Sequence, residues 1–204
     1  MRIATLVLAA GTSRRMGRPK QTLPVGDRTL LELTLDAAFG QPGAEVYVVT
    51  GEASPAIDAI LENYPGAERR CHAEYRAGMG SSLAALVAAV PSEVTGYLIL
   101  LVDQPNLTAT YLNELTTAFR NDAGTKIHLT AWPERDRTGP PVVLPAALRP
   151  ELLQLTGDRG ARDLIRSYAD QTTVHHPPEP LFDLDTEEDY ERFLRLRQDR
   201  TTDT

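Results

Sequence analysis

The chain alternates short β-rich runs with longer helical runs, and this alternation is the strongest restriction on its fold. Apolar strands are predicted at Ile3–Ala10, Glu45–Thr50 and Tyr97–Val102, with helical patterns between them. The first strand is apolar throughout, as expected for a strand that is buried on both faces. Strands that alternate with helices build a sheet covered by helices. The sequence therefore predicts an α/β domain with a mostly parallel central sheet.

The remaining pattern predicts one domain over residues 1–197, followed by a disordered tail at residues 198–204. Prolines between Pro133 and Pro150 predict loops and short elements in that region. Further strands are predicted at Ala67–Cys71, Lys126–Trp132 and Thr173–His176, and helices at Thr29–Phe39, Ser54–Tyr64, Ser81–Val90, Thr108–Arg120, Pro150–Leu155, Ala161–Ala169 and Thr186–Arg197.

Composition excludes several classes of protein. The chain has 204 residues, of which 42% are hydrophobic and 24% charged, so it is expected to bury a core without a metal or disulfide staple. Its longest apolar run, Leu83–Val90, is far below the roughly 18 residues of a membrane helix. A net charge of −7 disfavours nucleic acids and anionic membranes as partners. A single cysteine, Cys71, and a start unlike a signal peptide predict a cytoplasmic protein.

The most unusual segment is the loop that follows the first strand, from Leu8 to Lys20. It begins with small residues and places four cations within seven residues, at Arg14, Arg15, Arg18 and Lys20. Accessible backbone N–H groups beside mobile positive charge are what a triphosphate requires. The alternative is a surface loop with solvated arginines, but the preceding strand and the glycines favour phosphate binding.

Acidic residues at two other places in the chain are positioned to bind a cation. Asp103 ends the strongest strand signal, and open α/β sheets bind ligands at the carboxyl ends of their strands. Asp183 and Asp185 alternate on an extended segment before the last helix, so they share a face. Carboxylate oxygens suit Mg²⁺. The alternatives are a turn cap at Asp103 and helix capping around Thr186.

Glycines and serines mark the entrance of a helix near residue 80. Gly78, Gly80, Ser81 and Ser82 form a hydroxyl-bearing entrance that suits a base edge or an anion, or that is an ordinary helix cap. Other common sites lack their motifs. No G-K-[ST] or G-x-G-x-x-G is present, and there is no G-x-S-x-G elbow of a serine hydrolase. The histidines do not form a metal-spaced set with Cys71.

The motif L-A-A-G-x-S-x-R-M-G-x-x-K, which begins at Leu8, resembles the opening signature of the MobA-like nucleotidyltransferases. The resemblance is closest to the molybdenum cofactor cytidylyltransferase (MocA-type) branch. D-Q-P from Asp103, D-x-D-T-x-x-D from Asp183 and G-M-x-x-S-L from Gly78 resemble three further motifs of the family. The similarity covers Leu8 to about Phe193. It implies a single Rossmann-like domain of the nucleotide-diphospho-sugar transferase type, with a mixed central sheet flanked by helices.

The resemblance also implies roles for individual residues. Arg15, Lys20 and Asp103 are expected to act in catalysis, and Asp103 is expected to share Mg²⁺, or alternatively Mn²⁺, with Asp183 or Asp185, of which Asp183 is preferred. The nucleotide is expected at Leu8, Ala9, Ala10, Gly11, Thr12, Ser13, Arg15, Lys20, Gly78, Met79, Ser81, Ser82 and Asp103. The acceptor is expected at Gln104, Gly139, Pro141, Asp158, Gly160 and Arg162, although Pro140 stands where many related sequences have histidine.

The reaction implied by the resemblance is transfer of CMP from CTP to the phosphate of molybdopterin, with release of pyrophosphate and docking to a molybdenum hydroxylase. Ala9-Ala10 resembles the CTP branch, whereas the GTP branch usually has glycine at the second position. Alternatives are GTP as donor, or a sugar phosphate, methylerythritol phosphate or phospholactate as acceptor. A non-catalytic or redox nucleotide-binding protein on the same scaffold is the remaining alternative.

Overall fold

The computed structural model describes residues 1–11, 16–132, 137–158 and 160–202, with side chains up to residue 198. Nine strands and seven α-helices are found in the described chain. The strands are β1 (Ile3–Ala9), β2 (Pro24–Val25), β3 (Arg28–Thr29), β4 (Glu45–Thr50), β5 (Ala67–Cys71), β6 (Gly96–Leu101), β7 (Ile127–Trp132), β8 (Arg137–Pro145) and β9 (Thr172–His175). The α-helices are α1 (Leu30–Phe39), α2 (Pro55–Glu62), α3 (Met79–Ala89), α4 (Ala109–Asn121), α5 (Arg149–Leu152), α6 (Arg162–Ser167) and α7 (Glu187–Thr202).

Seven of the strands form one mixed sheet in the order β5-β4-β1-β6-β8-β7-β9. Strands β5, β4, β1 and β6 are parallel, β8 runs antiparallel to both of its neighbours, and β9 is parallel to β7. The predicted mostly parallel sheet is therefore confirmed. Strands β2 and β3 form a separate two-stranded hairpin.

Strand β8 corrects the prediction of loops between Pro133 and Pro150. It pairs with β6 and β7 although it contains Pro140 and Pro141. Its register against β7 shifts there, because Leu129 faces Val142 whereas Thr130 faces Gly139. The two prolines thus lie in a bulge, where the ladder needs no N–H donor from them.

The boundaries of helices α3 and α7 also differ from those that the sequence pattern predicts. Helix α3 begins at Met79 rather than Ser81, because Gly78 precedes it with a φ of 122° that favours glycine. Helix α7 continues to Thr202, beyond the predicted end at Arg197. In the described chain, no helix is both long and apolar enough to cross a membrane.

The sheet has a hydrophobic core on each face because side chains alternate along its strands. Val7, Leu98 and Leu100 pack on the face covered by α1, α4 and α7. Leu6 and Ile99 belong to the other core, which α3 covers. The central strands are therefore buried on both faces, and their carboxyl ends are where polar groups collect.

Candidate functional site

A cleft of about 440 Å³ lies at the carboxyl ends of β1 and β6, which are neighbours in the sheet. Its walls come from the loop after β1, the end of β6, the start of α3 and the segment before α7. The lining residues are Leu8, Ala10, Gly11, Lys20, Gln21, Tyr75, Arg76, Gly78, Met79, Ser82, Leu101, Val102, Asp103, Asp158 and Asp185.

Lys20 joins two carboxylates that are far apart in the sequence. Its Nζ lies 3.4 Å from Oδ2 of Asp103 and 3.0 Å from Oδ1 of Asp185. The Lys20 side chain is 14% exposed, so these charges interact with little screening by water. The cleft therefore brings the charges of Lys20, Asp103 and Asp185 together from three separate segments of the chain.

Asp103 is the most perturbed acid of the cleft. Burial, followed by the charges of Asp183 and Asp185, raises its pKa to about 6, although Lys20 opposes the shift. Its Oδ1 is buried and has no hydrogen-bond partner in the described chain. A buried carboxylate oxygen without a partner is costly, so this atom is a position where a bound cation would be stabilising.

Asp183 faces a different cation from Asp185. An Arg137 guanidinium N–H donates to Oδ2 of Asp183, and the same guanidinium lies over the Trp132 ring, 4.9 Å from its centroid. Asp183 lines a second cavity of about 570 Å³, together with Trp132 and Phe193. Asp183, the carboxylate that the sequence analysis prefers, thus pairs with Arg137, whereas Asp185 lies 3.0 Å from Lys20 Nζ.

Backbone contacts hold the segment before α7 against the end of β6. The N–H of Leu184 donates to the carbonyl of Asp103 at 2.9 Å. The Thr186 hydroxyl caps α7 by accepting from the N–H of Asp189 at 3.2 Å, and the Asp189 carboxylate accepts in turn from the N–H groups of Asp185 and Thr186 at 3.1 and 2.8 Å. The predicted cap at Thr186 is therefore present, next to Asp185, which lines the cleft.

Close backbone packing at the start of α3 brings the loop of residues 156–158 to the cleft. The N–H of Gly80 donates to the carbonyl of Gly157 at 2.8 Å. A Cβ on Gly78 would lie 2.3 Å from the Gly157 carbonyl, and one on Gly80 would lie 2.7 Å from the Thr156 oxygen. Glycine is required at these positions because the two segments touch through their backbones.

The two cations of the opening loop that the structure describes, Arg18 and Lys20, have different surroundings. Lys20 faces the cleft, whereas Arg18 pairs with Glu187 and lies 5.4 Å from the Tyr190 ring centroid on α7. Arg18 thus fastens the loop to α7. Arg14 and Arg15 lie outside the described residues, as do the predicted nucleotide-binding residues Thr12 and Ser13.

The other predicted residues fall into three groups. Those that line the cleft are Leu8, Ala10, Gly11, Lys20, Gly78, Met79, Ser82, Asp103, Asp158 and Asp185. Two others lie beside it, since the Ala9 carbonyl accepts from Gln21 and the Ser81 hydroxyl contacts His72. The remaining acceptor-side residues, Gln104, Gly139, Pro141, Gly160 and Arg162, are not part of its lining.

Five residues of the lining were missed by the sequence analysis: the apolar Leu101 and Val102 at the end of β6, and Gln21, Tyr75 and Arg76. Gln21 follows Lys20, but a glutamine in a loop carries no sequence signal of its own. Tyr75 packs flat against Gly51, where a Cβ would meet the ring at 2.9 Å. Arg76 lies over the Tyr75 ring and pairs with Glu52. The proximity of Tyr75 and Arg76 to the G-M-x-x-S-L run was the available signal for these two.

The donor set suits a hard divalent cation held partly by a ligand. In the described chain, no group of three or more His, Cys, Asp or Glu side chains has metal-binding spacing. Mg²⁺ commonly uses only one or two carboxylates and completes its shell with water and phosphate oxygens. Asp103, with its unpartnered Oδ1, and Asp185 beside the same lysine meet that requirement.

Comparison with known proteins gives relatives of several activities. Nicotine blue oxidoreductase of Paenarthrobacter nicotinovorans is 34% identical over 80% of this chain and 81% of that protein. Purine catabolism protein PucB of Bacillus subtilis is 30% identical over 92% and 94%. A probable molybdenum cofactor guanylyltransferase of Opitutus terrae is 29% identical over 60% and 58%.

Solved structures share the whole architecture. Rv0371c of Mycobacterium tuberculosis superposes with a TM-score of 0.83 at 30% identity, covering 96% of this chain and 98% of that chain. Its complex with manganese has a TM-score of 0.80 at 28% identity, over 96% and 98%. A nucleotidyl transferase from Methanothermobacter shares the fold at 0.79 and 22% identity, over 97% and 99%, which confirms the predicted Rossmann-like nucleotidyltransferase fold.

The family model for the MobA-like NTP transferase domain matches residues 5–173. The matched region contains the loop with Lys20, strand β6 with Asp103 just after it, and the start of α3. Together these form most of the cleft. The chain thus belongs to the MobA-like NTP transferase family.

Proposed function

We propose that the protein transfers CMP from CTP to the phosphate of molybdopterin and releases pyrophosphate, with Mg²⁺ as cofactor. The proposal is carried by one observation: Lys20, Asp103 and Asp185 lie in contact in one cleft at the end of β1. That combination of a cation with two carboxylates suits a triphosphate and a divalent metal together.

In the proposed reaction, an oxygen of the acceptor phosphate forms a bond to the α-phosphorus of CTP. The bond from that phosphorus to the oxygen bridging it to the β-phosphate breaks, and pyrophosphate leaves with the electron pair. The acceptor phosphate is ionised near neutral pH, so no side chain is needed as a base. The work of the protein is positioning and charge neutralisation, which dominate phosphoryl-type transfers.

Lys20 would neutralise the phosphates, and backbone N–H groups around Ala10 and Gly11 would add fixed donors. Asp103 and Asp185 would hold the metal, for which we favour Asp185 over Asp183 because Asp183 is engaged by Arg137. The metal, when bound, supplies positive charge against the triphosphate. The manganese complex of a relative supports Mn²⁺ as an alternative to Mg²⁺.

The choice of CTP rests on Ala9-Ala10, the feature that resembles the cytidylyltransferase branch. GTP is the alternative donor, and the relative described as a probable molybdenum cofactor guanylyltransferase supports it. A molybdenum hydroxylase in the cytoplasm would then receive the product. A sugar phosphate, methylerythritol phosphate or phospholactate remains the alternative acceptor.

A second candidate function is oxidation or reduction on the same scaffold. The relative called nicotine blue oxidoreductase, 34% identical to this chain, favours it. To test this alternative, the absorbance of nicotinamide and flavin cofactors is used to detect whether the purified protein binds one of them. A redox change that needs no triphosphate would replace the transferase proposal.

The test of the transferase proposal measures pyrophosphate release from CTP or GTP with molybdopterin and Mg²⁺ or Mn²⁺. We expect release with CTP that depends on both metal and acceptor, and a product heavier than the acceptor by one CMP residue in mass spectrometry. Preference for GTP would move the protein to the guanylyl branch. Release without acceptor, or no binding of either triphosphate, would contradict the proposal.

A further inference from the structure

Gln21 connects the opening loop to the cleft in a way that no sequence motif indicates. It lies in the turn of 3₁₀-helix formed by Lys20–Thr22 and is only 4% exposed. Its Nε2 donates to the carbonyl of Ala9 at 2.6 Å and to that of Gly11 at 3.0 Å. The amide therefore bridges the end of β1 and the start of the loop, while the residue lines the cleft.

These two hydrogen bonds determine which way the amide group faces. Carbonyl oxygens only accept, so the atom between Ala9 and Gly11 must be the NH₂ group that donates. The other end of the amide is consequently Oε1. This oxygen is buried and has no hydrogen-bond partner in the described chain. A buried acceptor without a donor is rare in folded proteins, and the residues that the structure describes provide no donor for this one.

We propose that Oε1 of Gln21 accepts a hydrogen bond from the nucleoside of the bound triphosphate, which makes Gln21 a specificity-determining residue. The inference rests on the proposed function, because it requires a nucleotide in the cleft. The ligand chemistry is a neutral N–H or O–H donor. A nucleoside offers two sources of such a donor, the ribose hydroxyls and the exocyclic amino group of the base.

Another buried glutamine provides a matched control. Gln41 is 8% exposed, and its Nε2 donates to the carbonyl of Ala109 at 2.6 Å. Its Oε1 accepts from the Thr116 hydroxyl at 3.3 Å, so both ends of this amide have partners. Gln41 does not line the cleft. The two residues thus share burial and a donor role, and differ in the partner of the oxygen and in location.

The experiment compares calorimetric affinities of the wild type, Gln21→Met and Gln41→Met for Mg²⁺-CTP and for analogues that each lack one donor. The analogues are 2′-deoxy-CTP, 3′-deoxy-CTP and UTP; if GTP binds more tightly, deoxy-GTP and ITP replace them. We expect the wild type to lose about 5- to 10-fold in affinity for one analogue, as for one hydrogen bond. Gln21→Met should bind that analogue and CTP equally, while Gln41→Met should keep the wild-type ratio.

The analogue that shows the loss identifies the source of the donor, UTP for the amino group and a deoxynucleotide for a hydroxyl. An undiminished ratio in Gln21→Met, or equal affinities for all analogues in the wild type, would overturn the inference while leaving triphosphate binding intact. Failure of the wild type to bind CTP and GTP would overturn the proposed function and this inference together.

A measurement on the unaltered protein covers the case in which Gln21→Met does not fold. With ¹³C-labelled glutamine, the Cδ resonance of Gln21 should move downfield when Mg²⁺-CTP binds, since its oxygen gains a hydrogen bond. The analogue that lacks the donor should produce a smaller shift, and the Gln41 resonance should stay in place. An unmoved Gln21 resonance in the saturated complex would overturn the proposal.

Discussion

The cleft around Lys20 and the larger cavity beside Trp132 share the segments 103–106 and 181–185 in their walls, but their residues differ in kind. The cleft pairs Lys20 with Asp103 and Asp185. The larger cavity has aromatic residues in its walls, and one of its acids, Asp183, is paired with Arg137. Volume alone would select the larger cavity as the site, whereas the arrangement of charge selects the smaller one.

The comparison shows that the short segment from Asp183 to Asp185 contributes to both the cleft and the larger cavity. Asp183 and Asp185 are two residues apart, yet each faces a different cation. One carboxylate joins the cleft, and the other ties the same segment to β8 through Arg137. Variants that separate these two roles test whether the cleft is the reaction site and whether the Arg137 contact is structural.

The largest effect is expected from Asp103→Asn, which removes a carboxylate from the cleft. We expect the rate of pyrophosphate release to fall at least about 10²-fold, as for the loss of one preorganised electrostatic group. Asp58→Asn, which alters an ion pair with Arg69 on the surface at α2, is the control and should keep the wild-type rate. A fully active Asp103→Asn enzyme would remove the cleft from the mechanism.

Lys20→Met should weaken triphosphate binding by about 10- to 100-fold, the range for loss of a charge-assisted hydrogen bond. Calorimetry with Mg²⁺-CTP measures it. Arg18→Met is the matched control, because Arg18 belongs to the same loop but contacts Glu187 and Tyr190. A larger change in melting temperature than in affinity for Lys20→Met would make Lys20 a structural residue.

The same Asp103→Asn variant should stabilise the metal-free protein. Because the pKa of Asp103 is raised from 3.8 to about 6, the folded state binds the proton more tightly than the unfolded state. The stability that this proton confers is present at low pH and is lost as the pH rises from about 4 to 6. Asparagine mimics the protonated form, so we expect about 1–3 kcal/mol of added stability at pH 7.

Denaturant unfolding at pH 4 and pH 7, without metal, measures this effect. The difference between variant and wild type should be small at pH 4 and large at pH 7. A variant that is less stable than the wild type at pH 7 would show that the pairing of Asp103 with Lys20 outweighs the burial of its charge.

The smallest effects should separate the two neighbouring carboxylates. Asp185→Asn should lower the affinity for Mg²⁺-CTP about 3- to 10-fold, because Lys20 and Asp103 remain. Asp183→Asn should instead lower stability by about 1–2 kcal/mol, since Arg137 loses its charged partner. Parallel calorimetry and thermal unfolding distinguish them. The reverse pattern would assign the metal to Asp183 and the structural contact to Asp185.

Much of the fold and part of the site could be predicted from the sequence. The buried strands β1, β4 and β6 were predicted within a residue or two, because apolar runs bounded by turns are a local signal. Strand β8 was not, since prolines are read locally as breakers and only the register against β7 reveals the bulge that accommodates them. The cap at Thr186 correctly predicted where helix α7 begins, but the predicted end at Arg197 was too early.

The sequence by itself determined the α/β class, the loop with Lys20 and the candidate carboxylates, because strand burial and motif spacing are properties of neighbouring residues. Only the tertiary structure decided which carboxylate pairs with Lys20, that Arg18 binds α7, and that the Gln21 oxygen has no partner among the described residues. Those outcomes depend on the packing of segments separated by up to 169 positions in the chain, such as Arg18 and Glu187. Distances across such separations follow from how the sheet and its helices close around the cleft.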